Sequence, residues 1–263
     1  MADKKTEVAE AKTAEVIQFD PTMFEADAGA GLENMGQEDL ALPFLKVLGG
    51  MSKELDHLED ARKGDIYNSV TGAVLKGKEG IRVIPCAYQR RFIQWAPRGE
   101  GTGAPVAIYT PGETMPKTER SAEDNKEYLT DGSGQYIEET HQHFVLVMHD
   151  DGTVESALIA MKSTQLKKSR KWNSMISSLT MKGKNGPFTP PRFSHVYHLK
   201  TIAEENSKGS WHGWEMSRTG PVEDAATYNR AKEFAASIAA GEVVVKHQDE
   251  SVGGDINPDD VPF

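Results

Sequence analysis

The 263-residue sequence holds a single cysteine, Cys86, so no intrachain disulfide can form and a reducing, cytoplasmic compartment is the simple expectation. Cys86 lies in the apolar run Ile81-Arg82-Val83-Ile84-Pro85-Cys86-Ala87, where a buried inert thiol is expected rather than a nucleophile. No apolar run approaches the roughly 18 residues that a membrane span needs, so no membrane partner is expected. Lys4 and Lys5 are not followed by an apolar stretch, and no secretory signal is read there. There is no G-x-x-x-x-G-K-[ST], which argues against a P-loop NTPase. No C-x-x-C accompanies His141, His143, His195 and His198, so neither a structural zinc nor any other cofactor is expected. Asp150, Asp151 and Glu155 suggest a metal-dependent nuclease as one alternative, but Asp-Asp-Gly between two strands is first of all a turn.

Acidic residues are also missing, locally. The formal net charge is −10, which argues at first against a nucleic-acid partner. Yet residues 80–99 hold no Asp or Glu and four arginines, and residues 156–203 hold no Asp or Glu and nine basic residues. These two stretches carry +13, while the remaining 17 basic and 40 acidic residues carry −23. Local field rather than total charge decides what docks on a surface. The pattern reads as a basic binding face flanked by acidic ends.

The composition divides the chain into an acidic, disordered segment at 1–39, a folded domain at 40–246 and an acidic, disordered tail at 247–263. Residues 40–55 are apolar and suit a short helix or an extended segment. Asp65 to Asn68 and Ala73 to Leu75 around Thr71-Gly72 predict a small hairpin. A long strand is expected over 81–95, bent near Pro85 or Gln89. Residues 96–140, rich in Gly, Pro, Thr and acids, predict a long loop. Strands at 144–148 and 154–160 flank a turn at 150–152, and a helix at 164–181 follows. Strands at 194–202 and 211–218, with a polar loop between them, precede a helix at 222–240 that Pro221 opens and Gly241 closes. The fold class is therefore mainly β with helices, an α+β chain. Strand, strand, strand, helix, strand, strand is the element order of an OB-fold, a five-stranded barrel. Here it would have a long loop between strands 1 and 2 and an additional C-terminal helix.

On the helix at 164–181, Trp172, Met175, Ile176 and Leu179 share one side, while Lys167, Arg170 and Lys171 share another and Lys168 sits near the border. Those cations, with Lys162 before them and Lys182 and Lys184 after, are candidates to neutralise backbone phosphates. The second cluster is Tyr88-Gln89-Arg90-Arg91-Phe92-Ile93-Gln94-Trp95-Ala96-Pro97-Arg98. Aromatics interleaved with arginines suit single-strand binding, because every base offers a π-face. The candidate DNA-binding residues are thus Arg90, Arg91, Phe92, Trp95, Arg98, Lys162, Lys167, Lys168, Arg170, Lys171, Trp172, Lys182 and Lys184. The competing reading of each aromatic is a core ring beside snorkelling arginines.

The last five residues, Asp259-Asp260-Val261-Pro262-Phe263, follow an acidic stretch with no basic residue after His247. This end resembles the C-terminal tip of bacterial and phage single-stranded DNA-binding proteins, with Val261 where the bacterial tip usually has Ile. The resemblance implies that the Phe263 ring enters an apolar pocket on a partner, its α-carboxylate meets a basic residue, and Asp259 and Asp260 meet a basic rim. The body is similar to a family of phage proteins regarded as single-stranded DNA-binding proteins, over roughly residues 37–246. The matching stretches are Gly64 to Ser69, Arg90 to Arg98, Met161 to Asn173 and Phe188 to Pro191. Together these imply a non-enzymatic protein that coats single-stranded DNA in phage-type replication, repair and recombination. It would recruit partner proteins through Asp259, Asp260, Val261, Pro262 and Phe263. Homo-oligomerisation is compatible with this reading. A strand-annealing recombinase is the first alternative, and the nuclease the second.

Overall fold

A computed structural model describes residues 22–25, 27–36, 39–97, 99–100, 102–206 and 209–247. The chain divides into two compact units, Met1–Gly36 and Gln37–Phe263. In the first, a single helical turn, α1 (Thr22–Glu25), is followed by turns up to residue 34. The disorder expected before residue 22 and after 247 falls outside the described residues.

The second unit runs β1 (Leu45–Val47), α2 (Glu54–His57), β2 (Ile66–Asn68), β3 (Val74–Leu75), β4 (Ile81–Trp95), β5 (Ala107–Tyr109), β6 (Thr118–Arg120), β7 (Glu127–Leu129), β8 (Tyr136–Met148) and β9 (Val154–Lys162). It continues with α3 (Leu166–Ser177), β10 (Met181–Gly183), β11 (Gly186–Phe188), β12 (His195–Asn206), β13 (Gly209–Pro221) and α4 (Ala225–Ala240). The protein is mostly β, with few helices, and the main sheet is antiparallel and curled. No described helix is long and apolar enough to cross a membrane.

Five long strands lie side by side in the order β9-β8-β4-β12-β13. No hydrogen-bonded pair among the described residues joins β9 to β13, so the sheet stays open where a five-stranded barrel would close. The N-terminal segment occupies part of β9's free edge. The Leu158 N–H donates to the Pro43 carbonyl at 2.8 Å, and Phe44 forms an isolated parallel bridge with Leu158. The expected hairpin is β2–β3, which joins β1 in a small separate sheet. That sheet is pinned to β12 through the Thr201 N–H, which donates to Gly77 O.

Alternation decides which side of each strand is buried. Val145 and Val147 on β8 share a core with Val83, Ile159, Met161, Trp172, Tyr197 and Leu199. Phe144 and Leu146 point the other way, into a second core with Ile84, Cys86, Leu158 and the Ala231, Phe234 and Ile238 face of α4. Asp224 caps α4, accepting from the Thr227 N–H at 2.6 Å, and Gly241 ends it in the left-handed region. The helix therefore starts at Ala225, and Pro221 belongs to the end of β13.

The long loop expected over 96–140 holds three short strands, and β8 begins at Tyr136. The polar loop expected at 204–210 is the paired end of a ribbon, in which Glu204 faces Trp211 and Asn206 faces Gly209. The helix expected to reach 181 ends at Ser177, and a two-stranded hairpin, β10–β11, follows. The expected bend near Pro85 is a register shift between Pro85 and Ala87.

Candidate functional site

Helix α3 is fastened to the sheet by a buried polar chain. Arg192 Nη2 donates to His143 Nδ1 at 2.9 Å, so that nitrogen is an acceptor and the ring carries its proton on Nε2. His143 Nε2 then donates to Ser169 Oγ at 2.7 Å. The Ser169 hydroxyl is left to donate to His141 Nδ1 at 2.7 Å, and His141 Nε2 donates to Glu139 Oε1 at 2.9 Å. Each tautomer in the chain is set by its neighbour. Burial holds both imidazoles below their usual range, and His143 well below it, with Arg192 adding to the effect. Arg192 is itself pushed down to about 10, chiefly by burial, and stays charged at neutral pH. Trp172 stacks on His143 at 4.6 Å between ring centroids and meets Tyr197 edge-on at 5.9 Å.

With Ser169, Trp172 and Ile176 buried, α3 turns Lys167, Arg170 and Lys171 to solvent. Its first turn holds no acid and two lysines. Cations there oppose the helix dipole by about 0.3–1 kcal/mol each, so helix stability gives no reason for their placement. On β4, Arg90 and Phe92 lie on the same sheet face as His141 and α3, because Arg90 pairs with His141 and Phe92 with Glu139. The Arg90 guanidinium sits 4.8 Å from the Phe92 ring centroid and donates to Glu139 at 2.9 Å. Arg170 stands 3.6 Å from the same carboxylate.

The acid-free stretches are therefore not acid-free in space. Glu139 serves Arg90 and Arg170, Glu204 binds Lys168 at 2.6 Å, and Glu138 binds Lys162 at 3.3 Å. Arg91 is half-buried and donates to Gln89 Oε1 at 2.7 Å. Lys167, Lys171, Lys182 and Lys184 make no ion pair with a described residue. These four, with the weakly held Arg170, follow α3 into the hairpin. The helix alone spans about 18 Å at 1.5 Å per residue.

Two aromatics among the candidate DNA-binding residues are core residues. Trp172 is fully buried, and Trp95 is buried with Ile93 and Tyr136. Trp172 offers no face to a base, because neighbouring side chains already cover it, and Trp95 reaches only the wall of a groove on the other sheet face. Phe92 is half-buried. Arg98 and the five tip residues from Asp259 to Phe263 lie outside the described residues. One exposed ring went unread in the sequence, Phe188 on the hairpin. It sits in a Gly/Pro-rich segment with no strand periodicity to draw attention to it.

The opposite sheet face carries a groove of about 340 Å³ between the β1 segment and the ends of β4, β8, β9 and β13. Leu42, Phe44, Trp95 and Trp214 wall it, with Lys46, Lys162 and Lys246 among its polar groups. His247 closes one end, held by Gln142 Nε2 at 2.8 Å and edge-on to Phe44. The carboxylates considered for a nuclease have other partners. Asp151 accepts from the Thr153 N–H and hydroxyl, and Glu155 accepts from Asn68.

Residues 11–244 match the model of a family described as Pam3 phage gp34-like protein. No curated protein and no solved structure matches the chain.

Proposed function

The chain belongs to the Pam3 phage gp34-like family, and on that premise we propose that it binds single-stranded DNA without sequence preference, with the strand running along α3 and the β10–β11 hairpin. The observation that carries this reading is the row Lys167, Lys171, Lys182 and Lys184, cations that make no ion pair with a described residue, the first of them set against the dipole of α3. Arg90, Arg170 and Phe92 extend it, since a phosphate can replace the single carboxylate of Glu139 that the two arginines share. The order β9-β8-β4-β12-β13 is that of an OB barrel opened between its third and fifth strands, which supports an OB-derived fold. The second half of the proposal is recruitment of replication or recombination proteins through Asp259 to Phe263. It rests on the sequence resemblance alone.

Salt tests the first half. Phosphate contacts to a single strand each lower the slope of log affinity against log salt by about 0.7. Contacts from Lys167, Arg170, Lys171, Lys182 and Lys184 give a slope near −3.5, a loss of roughly a hundredfold between 50 and 200 mM salt. Anisotropy titrations with labelled oligo-dT measure this. A slope near zero, or unchanged binding after Lys167→Ala, Arg170→Ala and Lys171→Ala are combined, removes the assignment.

A further inference from the structure

The β10–β11 hairpin contributes to neither core, and all six of its paired residues are exposed. A two-stranded hairpin on its own is marginally stable, and this one hides little apolar surface. Instead it displays some. Phe188 is 45% exposed and Met181 40%. Their register makes them a directly opposed pair, so both lie on one face, with Lys182 and Pro187 on the other and Lys184 at the tip.

The Phe188 ring is also supported. A Cβ on Gly183 would lie 3.1 and 3.2 Å from its Cδ1 and Cε1. The ring therefore leans on the neighbouring strand at a place where glycine leaves room for it. An aromatic braced by backbone and open to solvent, on a hairpin that also carries two lysines without an ion pair to a described residue, matches a ligand that offers both negative charge and flat π-faces. A single nucleic-acid strand has both.

We propose that the hairpin is a base-stacking arm, in which Phe188 receives an unstacked nucleobase while Lys182 and Lys184 meet the flanking phosphates. The proposal rests on the DNA-binding reading above and names the element that would grip bases rather than backbone. Stacking on one ring is worth about five- to 150-fold in affinity.

The test compares oligo-dT with an abasic deoxyribose-phosphate strand of equal length, binding each to the wild-type protein, Phe188→Ala and Phe188→Trp. Phe188→Ala should weaken oligo-dT binding by about tenfold or more and leave abasic binding unchanged. Phe188→Trp should restore the preference for the base-bearing strand. Because the ring is exposed, the thermal midpoint should be the same in all three. Wild-type affinity for oligo-dT in Phe188→Ala overturns the arm alone. So does an equal loss on both strands, which would mean that the substitution acts on charge or hairpin shape. A wild-type protein that binds neither strand overturns the DNA-binding reading and the arm with it.

Discussion

Trp172→Ala should destabilise the protein by about 3–5 kcal/mol, the usual cost of truncating a buried aromatic. The indole is fully buried in the core formed by β4, β8, β9, β12 and β13. It covers His143 on one side and meets Tyr197 on the other. Removing it opens a cavity beside a buried neutral imidazole that already accepts from Arg192. Against a total stability of about 5–15 kcal/mol, that loss lowers the urea midpoint steeply. It should also release α3, and with it the cations that α3 carries. A variant with an unchanged midpoint and lost oligo-dT binding would return Trp172 to the candidate DNA surface.

Lowering the pH from 6.5 to 5 should reduce the stability of the fold, before carboxylate titration contributes. Four histidines are held neutral by burial. His143 lies against Arg192, His141 and Ser169. His141 lies against Glu139, Arg170 and Arg90, and the Glu139 contact only partly offsets its burial. His195 lies near Arg218, and His247 near Lys162 and Arg91. In the unfolded chain each takes up a proton near pH 6.5. Their contribution is complete above that value and falls as the pH drops toward the lower folded values. His247, pushed down to about 4, contributes ~3 kcal/mol in all, of which about half is lost between pH 6.5 and 5. Unfolded carboxylates protonate near pH 4, so the window down to 5 isolates the imidazoles. Urea unfolding at pH 7, 6 and 5 measures the slope, and His247→Gln should flatten it. A flat profile over this window would mean that these rings are accessible to protons in the folded protein.

Much of the sheet was legible in the sequence because its long strands carry continuous or alternating apolar runs. The β4 span was read to its ends at Ile81 and Trp95. The C-terminal part of β8 was read, but its N-terminal half was not, because Glu139, Thr140, His141, Gln142 and His143 look like loop residues. They pair with β4, and the buried side chains of His141, Gln142 and His143 find their hydrogen bonds in Ser169, Arg192 and His247, all distant in sequence. The three-residue strands β5, β6 and β7 are too short for any period to show. In the candidate site, the outward face of α3 followed from helical spacing alone. The pairing of Lys168 with Glu204 and of Arg90 with Glu139 did not, since charge counted along the chain is blind to what neighbouring strands bring. Trp95 shows the same limit, because composition cannot tell a stacking ring from a core ring. Phe188 shows the converse, a ring whose exposure depends on a hairpin that no pattern announced.

The bridge between Phe44 and Leu158 bears on edge-to-edge association of β9. Strand β9 pairs with β8 on one side only, and its outer backbone meets Pro43 and Phe44 at its centre. Its sequence there, Ala157-Leu158-Ile159-Ala160-Met161, is apolar and uncharged, the kind of segment that recruits another strand when left bare. Shortening the chain past Phe44 would turn this margin of the sheet into a template for edge-to-edge association. Solubility, rather than DNA affinity, is the property such a truncation would change first.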